Sequence, residues 1–183
     1  MRTVYFDLDG CLAKYDYGLY IPKSESETPL YLQLGAHVFR HLEAMESMLK
    51  AFNILYEKYK NNKDIQFKIM TGIPVGLLQA EHTIDKYLWC TYMIRNFDSQ
   101  DFFCVSVPKH EAVSDYLWDL TENDILIDDY PKNLDNWRKH GGTAIKCLNG
   151  INSFDANYDY IEASWSVEEI IDKIEEIIQC EYL

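Results

Sequence analysis

The stretch Thr3-Val4-Tyr5-Phe6-Asp7-Leu8-Asp9-Gly10-Cys11 decides the fold of this chain. Four residues of high strand propensity run into two carboxylates, which predicts a buried strand that ends in acid side chains. Asp7 and Asp9 point the same way while the strand geometry lasts, and Gly10 lets the backbone turn sharply. Because ligands bind beyond the carboxyl ends of strands in open parallel sheets, this strand end is a candidate site.

The two neighbouring carboxylates repel each other, so keeping both at one strand end needs a cation or a shared proton. Mg²⁺ suits this position, since it prefers oxygen ligands and commonly takes one or two carboxylates together with phosphate oxygens. The alternative is a strand that runs into an acidic turn and binds nothing. The rest of the chain has to decide between these two interpretations.

The composition fits one soluble domain with a sizeable core, since 48% of the 183 residues are hydrophobic. The net charge of −13 and the pI near 4.7 argue against binding of nucleic-acid polymers or anionic membranes. The five cysteines are scattered and form no Cys-x-x-Cys pair, which favours reduced, mostly buried thiols. With no signal region and no apolar run of membrane-spanning length, we expect a cytoplasmic protein.

Strand and helix patterns alternate along the chain, which predicts an α/β fold with a parallel sheet flanked by helices. Residues 12–40 break this alternation, with several Pro and Gly and with tyrosines at positions 15, 17, 20 and 31. A loop of that length is unusual unless it is functional, so we predict a small, mostly helical cap inserted into a single domain of residues 1–183. Further strands are predicted at 65–70, 102–107, 124–127 and 143–148, and helices at about 42–59, 76–96, 109–119, 134–139 and 167–178.

Reactive side chains follow the predicted strands. Thr71 and Gly72 come after the second strand, Lys109 after the third, and Asp128 and Asp129 end the fourth. In a parallel sheet these strand ends share one edge, so the groups should converge there with Asp7 and Asp9. A carboxylate nucleophile, a second carboxylate for proton transfer and cationic or hydroxyl donors suit phosphoryl transfer.

These motifs, in this order and strand context, resemble the haloacid-dehalogenase superfamily of Asp-dependent phosphohydrolases over essentially the whole chain. The motifs are Asp7-x-Asp9-Gly10-Cys11, Thr71-Gly72, Lys109 and Asp128-Asp129. The family pattern usually has Thr or Val where this chain has Cys11, a departure that we expect to affect packing more than chemistry. The resemblance implies a Rossmann-like fold and an Mg²⁺-dependent reaction through an aspartyl-phosphate.

The resemblance also implies a role for each matched residue. Asp7 would be the nucleophile and a metal ligand, and Asp9 the general acid and base, with its backbone carbonyl on the metal. Phosphate binding would fall to Thr71, Gly72 and Lys109. Asp128 would be the main metal carboxylate, and Asp129 would help directly or through water.

Within the superfamily, the segments Ile127–Asn133 and Glu81–Phe97, the latter with Lys86, Tyr87 and Trp89, look most like the 5′(3′)-deoxyribonucleotidase group. That likeness, and the aromatic residues of the cap, imply a nucleoside monophosphate as the substrate. Two alternatives stay open, because caps vary freely on this fold. One is a phosphatase for a sugar or other metabolite phosphate, and the other is a catalytically idle member that binds a phosphate ligand or a protein.

Overall fold

The sheet is the centre of the molecule and contains six parallel strands. The computed structural model describes residues 1–15, 29, 33–114, 119–152 and 157–179. In that part of the chain the strands are β1 (Arg2–Phe6), β2 (Ile65–Gly72), β3 (Phe102–Val105), β4 (Asp124–Asp128), β5 (Thr143–Leu148) and β6 (Asp159–Glu162). Their spatial order is β3-β2-β1-β4-β5-β6, so β1 lies in the interior between β2 and β4.

Helices connect the strands and cover both faces of the sheet. They are α1 (Glu46–Tyr59), α2 (Gln79–Met93), α3 (Lys109–Ser114), α4 (Pro131–Lys139) and α5 (Val167–Gln179). Alternate residues of β1 face opposite sides of the sheet, so Val4 and Phe6 join one core cluster and Tyr5 joins another. The predicted α/β class with a parallel sheet is therefore confirmed. No helix in these described ranges is long and apolar enough to cross a membrane.

The ends of β1, β2 and β4 lie close together because their registers are nearly level. Phe6 is level with Ile69 on β2 and with Ile127 on β4. The chain leaves β1 in a tight turn, where the Leu8 carbonyl accepts hydrogen bonds from three following amides and Gly10 has a φ of 82°. The reactive residues that follow these strands are thus brought to one edge of the sheet.

Several features differ from the sequence expectations. Strand β2 runs to Gly72, so Thr71 and Gly72 lie within it and not after it, and β3 ends at Val105 and not at 107. Strand β6 has no predicted counterpart, because it is a short edge strand with two exposed residues and no clear alternation. The first predicted helix begins later than expected, at Glu46, because Ala44 forms a bridge with Ala13. Most of the predicted cap, including Tyr17, Tyr20 and Tyr31, lies outside the described residues, and the predicted helix end at 119 follows a stretch that is also outside them. The cap therefore stays a prediction.

Candidate active site

Two acids from the ends of neighbouring strands, β1 and β4, share the ammonium group of Lys109. This lysine is the first residue of α3, and its Nζ lies 2.7 Å from Asp7 Oδ1 and 2.7 Å from Asp128 Oδ2. All three side chains are buried. The Asp128 carboxylate also accepts hydrogen bonds from the Tyr130 amide at 2.8 Å and from Asn133 Nδ2 at 2.9 Å, so both of its oxygens are engaged.

The charge balance around Asp7 favours a further cation. Burial raises the pKa of Asp7, the acids Asp128, Asp9 and Asp129 raise it more, and despite the opposing effect of Lys109 it reaches about 8. Burial lowers the pKa of Lys109, but its contacts with Asp128 and Asp7 outweigh burial and leave the pKa raised. Lys109 therefore stays charged, and one ammonium group does not neutralise the acids that surround Asp7.

Asp9 contacts a different lysine, Lys86, from the middle of α2. The Lys86 ammonium donates to Asp9 Oδ2, to Thr71 Oγ1 at 3.0 Å and to the Gly72 carbonyl at 2.7 Å. The side chain of Lys86 is only 1% exposed. Asp9 Oδ1 is also buried, and it has no hydrogen-bond partner within the described ranges.

Asp129 faces the turn after β1. Its Oδ2 accepts hydrogen bonds from Asn149 Nδ2 at 2.9 Å and Asn152 Nδ2 at 2.7 Å, and Asn149 Nδ2 also donates to the Gly10 carbonyl at 2.7 Å. A Cβ atom at Gly10 would lie 2.7 Å from Asp129 Cγ, so this close approach requires glycine. Burial and Asp128 raise the pKa of Asp129, although the two asparagines and Lys146 oppose the rise.

Carboxylate oxygens of Asp7 and Asp129 lie within 4.8 Å of each other, and Cys11 Sγ lies within the same distance of both. Two buried carboxylates that lack a full countercharge fit Mg²⁺, a hard cation that prefers oxygen ligands. The thiol does not suit Mg²⁺, and burial raises the pKa of Cys11 well above its usual range. Asp7 and Asp129 could therefore hold a divalent ion, whereas both oxygens of Asp128 already have partners.

The structure brings the predicted site residues together at one edge of the sheet, in two groups. Asp7, Lys109 and Asp128 form one group, with Asp129 facing Asp7. The other group consists of Asp9, Thr71 and Gly72, all in contact with the Lys86 ammonium. The metal, phosphate and acid–base roles of these residues remain predictions, since contacts alone do not test them.

Sequence reasoning gave no site role to the residues that support these groups, above all Lys86, which it named only within the segment Glu81–Phe97. One signal for it was present, since the buried residues of α2, His82, Asp85, Lys86, Trp89 and Cys90, recur at helical intervals. A lysine that shares a helix face with a buried tryptophan needs a partner in the interior. Four other supporting residues also received no site role, namely Asn133, Asn149, Asn152 and Lys146, the last of which donates to the Asp129 carbonyl.

No family model and no curated protein matches this chain. Solved structures do match its fold over nearly its whole length. One is a D,D-heptose 1,7-bisphosphate phosphatase from Burkholderia thailandensis, with a TM-score of 0.60 and 10% identity over 97% of this chain and 99% of that one. The same enzyme from B. bronchiseptica, complexed with magnesium and phosphate, has a TM-score of 0.57 and 12% identity over 96% of this chain and 99% of that one.

A third solved structure is a haloacid dehalogenase-like hydrolase from Streptococcus pneumoniae, with a TM-score of 0.59 and 14% identity over 95% of this chain and 98% of that one. At such low identities these comparisons show that the chain has a haloacid-dehalogenase-like fold. They confirm the fold that the sequence motifs predicted.

Proposed function

We propose that this protein is an Mg²⁺-dependent phosphomonoester hydrolase that forms an aspartyl-phosphate on Asp7 and acts on nucleoside monophosphates. The observation that carries the proposal is the arrangement around Asp7. The Asp7 carboxylate lies 2.7 Å from the buried Lys109 ammonium and close to Asp129, which could hold a metal with it. Two residues on, Asp9 has a buried oxygen that no described residue contacts by a hydrogen bond. The fold shared with known phosphatases and the order of the motifs support the same chemistry.

In the first half of the proposed reaction, an oxygen of Asp7 attacks phosphorus, and the bond from phosphorus to the ester oxygen breaks. Asp9, in its acid form, gives its proton to the departing oxygen. In the second half, water attacks the phosphorus of the aspartyl-phosphate, Asp9 takes a proton from that water, and Asp7 is released as a carboxylate. Such proton transfer contributes about 10²–10⁴-fold to the rate.

Binding of the phosphoryl group falls to Lys109, the Thr71 hydroxyl and the backbone near Gly72. Asp7 and Asp129 would hold Mg²⁺, together with the Asp9 carbonyl that the family resemblance implies, and Asp128 orients Lys109. When bound, the ion supplies positive charge that screens Asp7 from the anionic substrate and stabilises charge on the transferring group.

The nucleotide part of the proposal depends on the likeness to the 5′(3′)-deoxyribonucleotidase group. The described aromatic residues of the cap region contribute little to it, because Phe39 is buried, stacks on Tyr15 and packs against His82. The fold matches favour a second candidate, a sugar phosphate phosphatase, since two of those proteins are named for a heptose bisphosphate. Both candidates share the chemistry at Asp7 and differ only in the leaving group.

A substrate panel tests the proposal. It compares deoxy and ribo nucleoside monophosphates with ribose 5-phosphate, a hexose phosphate and 4-nitrophenyl phosphate, each with Mg²⁺ and with EDTA. We expect the highest kcat/KM among the nucleotides. The value for ribose 5-phosphate, which lacks the base, should be roughly tenfold lower, because stacking on a base contributes about 1–3 kcal/mol. If a sugar phosphate reaches the same kcat/KM as the nucleotides, the nucleotidase assignment is refuted, whereas the phosphatase assignment is not.

The variant Asp7→Asn tests the covalent step, because the amide keeps the size of the side chain and removes the negative charge of the attacking oxygen. Turnover should fall by at least about 10³-fold, while the far-UV circular dichroism spectrum stays unchanged. Beryllium fluoride should inhibit the wild type and be found attached to Asp7 in a crystal. If the wild type hydrolyses nothing on the panel with Mg²⁺ present, the protein is an idle member that binds phosphate ligands or a protein.

A further inference from the structure

We propose that Lys86 is a positioning residue that selects which oxygen of Asp9 carries the transferred proton. This inference rests on the proposed phosphatase function and concerns a residue outside the motifs that predicted it. By holding Oδ2 of Asp9 as a hydrogen-bond acceptor, Lys86 leaves Oδ1 as the oxygen that gives and takes the proton.

The ammonium group of Lys86 is committed to the protein. It has three N–H donors, and they match its three acceptors, Asp9 Oδ2, Thr71 Oγ1 and the Gly72 carbonyl. The ring of Phe39 covers the same group, with its centroid 4.5 Å from Nζ. Direct binding of a phosphoryl oxygen would require Lys86 to break one of these contacts, so its geometry fits positioning better than substrate binding.

Side chains of α2 on both sides of Lys86 form contacts that hold the helix in place. The preceding residue, Asp85, is fully buried and binds Arg40 at 2.8 Å and His37 at 3.1 Å. One turn further along, Trp89 Nε1 donates to the Leu42 carbonyl at 2.8 Å. Since the backbone of α2 is held in this way, the position of the Lys86 ammonium is set before substrate binds.

The two oxygens of Asp9 therefore have different environments. Oδ2 contacts a charged donor, and a protonated Oδ2 would place a hydrogen against the ammonium. Oδ1 is buried without a partner in the described part of the chain, an arrangement that is unfavourable unless a bound group satisfies it. When Asp9 is in its acid form, the proton is placed on Oδ1, and Oδ2 still accepts from Lys86.

The test compares Lys86→Met with the wild type on substrates of different leaving-group acidity. Because kcat/KM reports the first half of the reaction, proton donation matters for an alkyl phosphate such as a nucleoside monophosphate and hardly at all for 4-nitrophenyl phosphate. We expect kcat/KM to fall by about 10²-fold for the alkyl ester and by less than about tenfold for the aryl ester. Lys86→Gln gives the same comparison if the Met variant does not fold, and Lys173→Met controls for loss of an ion-paired lysine on α5.

A double-mutant cycle with Asp9→Asn separates positioning from a general structural role. In the Asp9→Asn background, removal of Lys86 should lower kcat/KM for the alkyl ester by less than about threefold, because both changes disable the same proton transfer. An equal loss on alkyl and aryl esters, additive losses in the cycle, or a higher KM with kcat unchanged would each overturn the inference. If the wild type is inactive on every ester, the proposed function fails and this inference fails with it.

Discussion

Two buried lysines serve the two acids of the Asp7-Leu8-Asp9 stretch, and they do so differently. Lys109 lies between two carboxylates, Asp7 and Asp128, on the side of β1 that faces β4. Lys86 lies on the side that faces β2, and there it binds one carboxylate and two neutral oxygens. The Lys109 side therefore has excess negative charge and suits a metal ion, whereas the Lys86 side is balanced and suits a proton carrier.

The largest effect should come from Lys109→Met. This change leaves Asp7 and Asp128 buried without their shared cation, and breaking a buried ion pair in this way costs about 3–5 kcal/mol. Lys86→Met should cost less, about 1–3 kcal/mol, because only one carboxylate loses its cation and the Asp9 side chain is 20% exposed. Urea unfolding of both variants measures the difference. Equal losses of stability would mean that the two lysines have the same role.

The second comparison separates the acid proposed to bind the metal, Asp129, from the acid proposed to transfer the proton, Asp9. Asp129→Asn should weaken Mg²⁺ binding by about 10–100-fold, so its activity should recover as Mg²⁺ is raised. Asp9→Asn should lower turnover by about 10²–10⁴-fold at every Mg²⁺ concentration. Steady-state rates across a magnesium titration measure both. If Asp128→Asn recovers with added Mg²⁺ and Asp129→Asn does not, then Asp128 is the main metal carboxylate, as the family resemblance implies.

The third effect concerns the pH dependence of stability in the metal-free protein. The pKa of Asp7 is about 8 in the folded state against 3.8 as its ordinary value, so between these pH values the folded state holds a proton that the unfolded state has lost. Stability from this group therefore falls as pH rises from about 4 to about 8. In Asp7→Asn this part of the pH dependence should be absent.

Thermal unfolding in EDTA at several pH values measures this difference. Asp7→Asn should gain stability relative to the wild type as pH rises to 8, even though it has lost turnover. If the difference between the two proteins does not change with pH, the excess negative charge on the Lys109 side is compensated by groups other than a metal ion.

Much of the site could be predicted because its main residues follow strands directly. Asp7 and Asp9 end a run of strand-forming residues, and Thr71, Lys109 and the Asp128-Asp129 pair come at or just after three more strand patterns. Parallel topology brings such positions to one edge of the sheet whatever the details of packing. Edge strand β6 was not predicted, because an exposed edge strand lacks the alternation that marks a half-buried one.

Lys86 could not be assigned a role from the sequence, because a helix position does not show which distant group the side chain meets. Its contact with Asp9 spans 77 residues and depends on how α2 packs against the sheet. The residue pattern by itself did not separate Asp128 from Asp129 either, and only the family resemblance implied that Asp128 is the main metal carboxylate. The two are adjacent, and only the geometry at the end of β4 turns one toward Lys109 and Asn133 and the other toward Asp7 and Gly10.

The sequence by itself determined the α/β class, the parallel sheet and the set of acids at its edge, since these depend on local propensity and on the period of two along a strand. Only the tertiary structure decided which cation meets which acid, and therefore which acid lacks a countercharge. Ion pairing acts over a few ångströms between residues far apart in the chain, so it is set by packing and not by any local pattern.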